Sequence, residues 1–130
     1  MRYLVCLIGG ALLGALVAIT VANISAPRHA WPRALMTVMQ HELGRARDLV
    51  HDNRCTAPEA ASAAAHLSLI AADLEPALLP PGAHDRVLSQ YASDLRASIA
   101  AFEAAPDCAA RRDALTKVSN ACEACHRDYK

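Results

Sequence analysis

The chain closes on Cys122-Glu-Ala-Cys125-His126-Arg-Asp-Tyr129-Lys130, and no other stretch constrains its fold as tightly. Two cysteines separated by two residues, with a histidine directly after them, come to one side when the segment is helical. Positions i, i+3 and i+4 then share a face. A helix that turns two thiols and an imidazole the same way has to face something that uses all three. The pattern C-x-x-C-H is the attachment site of a c-type haem, in which Cys122 and Cys125 would bond the porphyrin and His126 would lie beneath the iron. A reducible cysteine pair or half of a zinc site is the alternative. Zinc calls for a second ligand pair at similar spacing, and the sequence offers none.

Composition matters here for what it excludes. Thirteen Lys and Arg balance thirteen Asp and Glu, so there is no basic excess of the kind nucleic acid requires. One Trp, one Phe and three Tyr, with abundant alanine, favour helices with small interfaces and leave a shortage of bulk that a cofactor can fill. Five cysteines in 130 residues point to an oxidising compartment, as does covalent haem.

No charged residue occurs from Tyr3 to Ala26. That run is long enough to cross a bilayer, which takes about 20 residues, whereas the apolar core of a cleavable signal is usually ~7 to 15. Ile24-Ser25-Ala26 before Pro27 makes a poor cleavage site, so residues 1–26 are expected to be an uncleaved transmembrane anchor, with an uncleaved signal as the other reading. Arg2 on one side and Arg28 and Arg33 on the other do not set orientation by charge. Haem attachment does, since it takes place outside the cytoplasm. The expectation is a single pass through the cytoplasmic (inner) membrane, residues 3–26 in lipid and the C-terminal domain in the periplasm or an equivalent space. Tyr3 and Trp31 then fall near the two interfaces. Cys6 reads as a small apolar residue.

Residues 27–31 are expected to be a linker, with the first soluble helix beginning at Pro32, where a proline costs no hydrogen bond. Its apolar positions Met36, Met39, Leu43, Ala46 and Val50 alternate steps of three and four, and Asp52 and Asn53 end it. Thr56 and Glu59 can form a capping box for a second helix with the stripe Ala60, Ala63, Leu67, Ile70, Leu74. Pro76 and Leu79-Pro-Pro-Gly82 interrupt it. A third helix runs from about Asp85 to Ala104 with Leu88, Tyr91, Leu95, Ile99 and Phe102 on its inner face. A fourth starts near Asp107, where Leu115, Val118, Cys122, Cys125 and Tyr129 continue one stripe. The expected fold is all-α: the N-terminal transmembrane helix, then an up-down-up-down four-helix bundle over residues 32–130 that holds one haem within it.

The chain resembles the class II cytochromes c, the family of cytochrome c prime and its low-spin relatives, over about Pro32 to Lys130. The resemblance rests on Cys122, Cys125, His126, Tyr129 and Lys130, close to C-x-x-C-H-x-x-[Tyr/Phe]-[Arg/Lys], and on the stretch Ala34-Leu-Met-Thr-Val-Met-Gln-His-Glu-Leu-Gly-Arg45. It implies a four-helix bundle with one covalent haem, with Met36 on the distal side of the iron and a proximal role for Lys130. The chain departs from the family in having Pro32 where an arginine often stands, which puts propionate pairing by Arg33 in doubt. Its anchor is a second departure.

Whether Met36 bonds the iron or only covers it stays open. In an up-down bundle it sits at the level of His126, whereas His41, five residues on, falls ~140° round the helix. Arg33, Met39, Tyr129 and Lys130 are the further pocket candidates. His29, His51, His66 and His84 read as solvated or boundary side chains. Cys55 and Cys108 fall in connections at the other end of such a bundle, where a disulfide would close a long loop and contribute ~4 kcal/mol. The functional expectation is single-electron transfer outside the cytoplasm, with a membrane redox complex or another electron-transfer protein as partner, or a place as subunit of a larger complex or in a homodimer. The rivals are a five-coordinate haem protein that binds NO or CO, and an accessory subunit whose haem is structural. An enzyme is not expected, since no acid, base or second cofactor site accompanies the motif.

Overall fold

The computed structural model of the protein describes residues 2–56 and 58–129, with backbone alone at 2, 4, 5 and 24–29. The first element, α1, runs Arg2–His51 as one helix of 50 residues. It includes the 18-residue window Cys6–Asn23, whose mean hydropathy of 2.0 and length are enough to cross a membrane, a property that anchors and signal sequences share. The expected helix start at Pro32 is not found, and residues 27–31 are helical instead of a break. Proline's fixed φ lies in the helical range, and each proline removes one backbone hydrogen bond at a cost of roughly 3 kcal/mol. Nothing else in Pro27–Trp31, which lacks glycine and asparagine, stops a helix. The chain divides into two compact units after Arg33, Met1–Arg33 and Ala34–Lys130. The first carries the apolar window and the second carries the core described below.

Asn53 ends α1 by entering the left-handed region at φ 56°. The Arg54 N–H then reaches the Leu49 carbonyl at 2.8 Å and the Asn53 N–H reaches that of Val50 at 3.2 Å, the paired bonds of a Schellman motif. Helix α2 follows as Pro58–Ala72. Glu59 in its first turn accepts a hydrogen bond from Arg54 at 2.9 Å, while the expected Thr56 cap adjoins Ala57, outside the described residues. Pro76 does not simply interrupt the pattern. It sits inside a short helix α3, Leu74–Leu78, within the first turn that tolerates it. The turn after it has Gly82 at φ 79°, and the Ala83 N–H bonds to the Pro80 carbonyl at 3.0 Å. With Pro81 before it, Gly82 occupies the position of a type II turn that needs positive φ.

Two aspartates start the remaining helices. Asp85 caps α4, Arg86–Ala104, by accepting from the Val87 and Leu88 N–H groups at 2.9 and 3.2 Å. Asp107 caps α5, Cys108–Asp128, by accepting from the Ala110 N–H at 2.8 Å. No strand occurs among the described residues, and the fold is all-α.

Helix α4 packs against both α2 and α5, and α3 packs against α4 and α2. One buried cluster joins Leu35, Met39, Leu43, Ala46 and Val50 of α1 to the inner stripes of α2, α4 and α5. Small residues of α2, Ala60, Ala63 and Ala64, let its neighbours approach closely, and Phe102, with 0% of its surface exposed, supplies bulk. Cys55 and Cys108 form a disulfide with Cα atoms 5.4 Å apart. Beside it the Arg111 guanidinium donates to the Cys55 carbonyl at 2.8 Å and lies 5.5 Å over the Phe102 ring.

Candidate functional site

The stripe of α5 that begins with Leu115 and Val118 in the core continues outward into Cys122 and Cys125, which are half-buried. Residues Ala121, Cys122, Cys125 and His126 form one wall of a pocket of about 660 Å³, its mouth included. A second wall comes from α1, where Met36, Met39, Gln40 and Leu43 line the same space. Leu88, Tyr91, Ala92 and Leu95 of α4 close a third side, and Leu74 and Leu78 of α3 a fourth. Met36 and the C-x-x-C-H residues, at opposite ends of the second unit's sequence, therefore line one cavity.

The lining is dominated by aliphatic side chains and methionine, with Gln40, Tyr91 and His126 as its polar members beside the thiols. Such a cavity, apolar with a few convergent polar groups, has the character of a small-molecule or cofactor site. Burial pushes the Cys122 thiol up, helped by neighbouring Cys125, and burial followed by Asp128 does the same to Cys125. Both are neutral thiols in an apolar wall. Half-buried Cys122 and Cys125 with exposed His126 one residue further suit a flat apolar group held at one edge by two sulfur bonds. Two thiols and an imidazole on the lining of an apolar cavity are residues of the kind that could hold a covalent haem. Among the described residues no three His, Cys, Asp or Glu side chains are grouped to hold a metal ion directly.

Other candidates fall elsewhere. Met39 lines the pocket. Arg33 belongs to the first unit and is exposed, and Lys130 lies outside the described residues. Tyr129 does not line the cavity but stands beside it: its ring meets that of Tyr91 edge to face, 6.3 Å between centroids and 82° between planes. The Tyr129 hydroxyl donates to Asp85 Oδ2 at 2.6 Å, which with burial and the charge of Asp85 pushes its pKa up to about 12. The Tyr91 hydroxyl donates to Asp128 Oδ2 at 2.6 Å, and that bond raises its pKa too.

His41, His51 and His84 are exposed. His66, also exposed, approaches the buried carboxylate of Glu42 at 3.5 Å, to which Arg45 donates at 2.8 Å. His29 is described in backbone alone.

Sequence reasoning missed Gln40, Tyr91 and the two α3 leucines as pocket walls. Gln40 was readable, since it stands one turn from Met36 on the same face. Tyr91 was on the inner stripe of its helix, but which stripe residue meets the cavity depends on how far α4 slides along α5. Comparison with protein-family models, with curated proteins and with solved structures returns no match for this chain.

Proposed function

We propose that the protein is a membrane-anchored, single-haem cytochrome of the class II type that carries one electron at a time outside the cytoplasm. The observation that carries this reading is the shared pocket of Met36, Cys122, Cys125 and His126. Cys122 and Cys125 would hold the group covalently, His126 would be its proximal ligand, and Met36 its distal ligand or distal wall. Haem c supplies a one-electron couple when bound, and a His and Met ligand pair favours electron transfer over gas binding. Met39, Leu43, Leu88 and Leu95 keep water from the cavity, which stabilises the less charged state of a bound redox centre. Exposed His126 puts one edge of the site within reach of a partner.

The finer architecture belongs to the same reading: an up-down-up-down four-helix bundle built from residues 34–51 with α2, α4 and α5. The Cys55–Cys108 pair supports it, because it joins the α1–α2 connection to the start of α5, which such a topology brings to one end. The pair also supports an oxidising compartment. An apolar span at Cys6–Asn23 would confine the haem domain to two dimensions and raise its effective concentration near membrane redox complexes.

The test is absorption and resonance spectra of both oxidation states, with and without carbon monoxide. Methionine-ligated low-spin iron that does not take up carbon monoxide is the expected result. High-spin iron that takes it up readily would transfer the reading to a gas-binding protein, with Met36 as wall.

A further inference from the structure

Two tyrosine hydroxyls tie the last turn of α5 to α4. Tyr91 donates to Asp128, the final residue of α5, and Tyr129 donates to Asp85, the N-cap of α4, each at 2.6 Å. The last four carbonyls of a helix have no partner within it, so an end turn frays unless something holds it. Here the Tyr129 N–H closes on the Cys125 carbonyl at 2.9 Å, and the two phenols supply the remaining restraint. His126 sits within this turn. A ligand imidazole works from one orientation, and contacts beyond the ligand itself usually set that orientation. Both tyrosines are half-buried, and Tyr91 is the one that forms pocket wall beside Cys125 and His126, so it meets the turn from the cofactor side.

Resting on the haem reading, we propose that Tyr91 is a positioning residue for His126: through Asp128 it fixes the last turn of α5 and thereby the imidazole offered to the iron. Attachment itself depends on Cys122 and Cys125 and is independent of the tether. The tether therefore governs how uniformly the ligand is placed and leaves the haem content alone.

The experiment uses the full-length holoprotein and four variants, Tyr91→Phe, Asp128→Ala, Asp128→Asn and Ser89→Ala. The last removes a hydroxyl that bonds to Glu75 at 2.7 Å, between α3 and α4 and apart from the pocket lining. Haem retained after denaturation, the axial-ligand signature in paramagnetic resonance and absorption, and amide exchange at Arg127–Tyr129 are read together. Tyr91→Phe and Asp128→Ala are expected to keep haem at the wild-type level, to exchange these amides several-fold faster and to show a shifted, heterogeneous ligand signature. Asp128→Asn keeps an acceptor oxygen and retains the wild-type signature, as does Ser89→Ala. Should Tyr91→Phe fail to fold, Asp128→Ala decides. Haem attached with an unchanged signature in Tyr91→Phe or Asp128→Ala overturns the proposal alone, as does an equal shift in Ser89→Ala. A wild-type chain without covalent haem overturns the functional reading and this inference with it.

Discussion

The phenol of Tyr129 donates a 2.6 Å hydrogen bond to Oδ2 of Asp85, while Oδ1 of the same carboxylate caps α4 by accepting from Val87 and Leu88. One side chain thus starts a helix and receives the end of another. The Tyr129 bond, then the cap N–H of Leu88, lower the pKa of Asp85 below its ordinary value of 3.8, and the Tyr129 phenol rises from 10.0 to about 12.

A pH dependence with two edges follows. Asp85 has a depressed pKa in the folded state, so its contribution is present above the ordinary value of 3.8 and fades as pH falls below it. Tyr129 has a raised pKa, so its contribution is present below pH 10.0 and is lost as pH climbs through about 12. Unfolding midpoints of wild type and Tyr129→Phe, measured from acid to alkaline pH, are expected to differ on the plateau between these edges and to converge beyond them. A constant difference at every pH would show that the hydrogen bond is not the origin.

Cys55 and Cys108 close a loop spanning 53 positions. In the chain-entropy model such a crosslink restricts the unfolded state by about 4 kcal/mol. Urea unfolding of the double variant Cys55→Ser, Cys108→Ser should show a loss of that order, with the slope of the transition changed as the unfolded chain expands. Equal stability of the oxidised wild type and the double variant would contradict the crosslink.

Phe102→Ala empties the centre of the core and is expected to cost about 3–5 kcal/mol, since Phe102 is 0% exposed and packs beneath Arg111. Phe102 is not part of the pocket wall. Below its lowered melting temperature the variant should therefore keep the wild-type haem spectrum, and a changed spectrum would show that core and pocket are not separable.

Met36→Ala removes the α1 side chain that shares the pocket with His126. If Met36 is the distal ligand, the variant changes from low-spin to high-spin iron and acquires carbon monoxide binding. Met36→Leu, which restores bulk without the sulfur, should behave like Met36→Ala in spin state. Low-spin iron in both variants would exclude Met36 as ligand.

Much of the second unit was legible because local signals and periodicity agreed. Asp85 and Asp107 were readable as helix starts and Asn53 as a stop, and the stripes of α2 and α4 are buried as expected, apart from half-buried Tyr91 on the pocket and Leu74, which falls in α3. The linker expected over residues 27–31, with a helix start at Pro32, is helical instead, because each proline removes a single hydrogen bond while its neighbours still favour the helix. Pro76 was read as a stop for a similar reason, although a first-turn proline is compatible with α3. In the pocket, the C-x-x-C-H residues could be named from spacing, Met39 from the stripe of its helix, and Met36 from the family resemblance together with the order of helices in a bundle. Tyr91, Leu74 and Leu78 could not, because their place depends on distances between helices that no single helix pattern encodes.

In the function proposed for this protein, Cys122 and Cys125 carry haem covalently. The most direct measurement is the intact mass of the full-length protein, expressed with haem-attachment machinery and then denatured in acid acetone, together with the absorbance of its C-terminal peptide. One haem per chain is expected to survive extraction on the peptide containing Cys122 and Cys125, and to be lost in the double variant Cys122→Ser, Cys125→Ser. A chain of unmodified mass, or haem that the solvent removes completely, would contradict it.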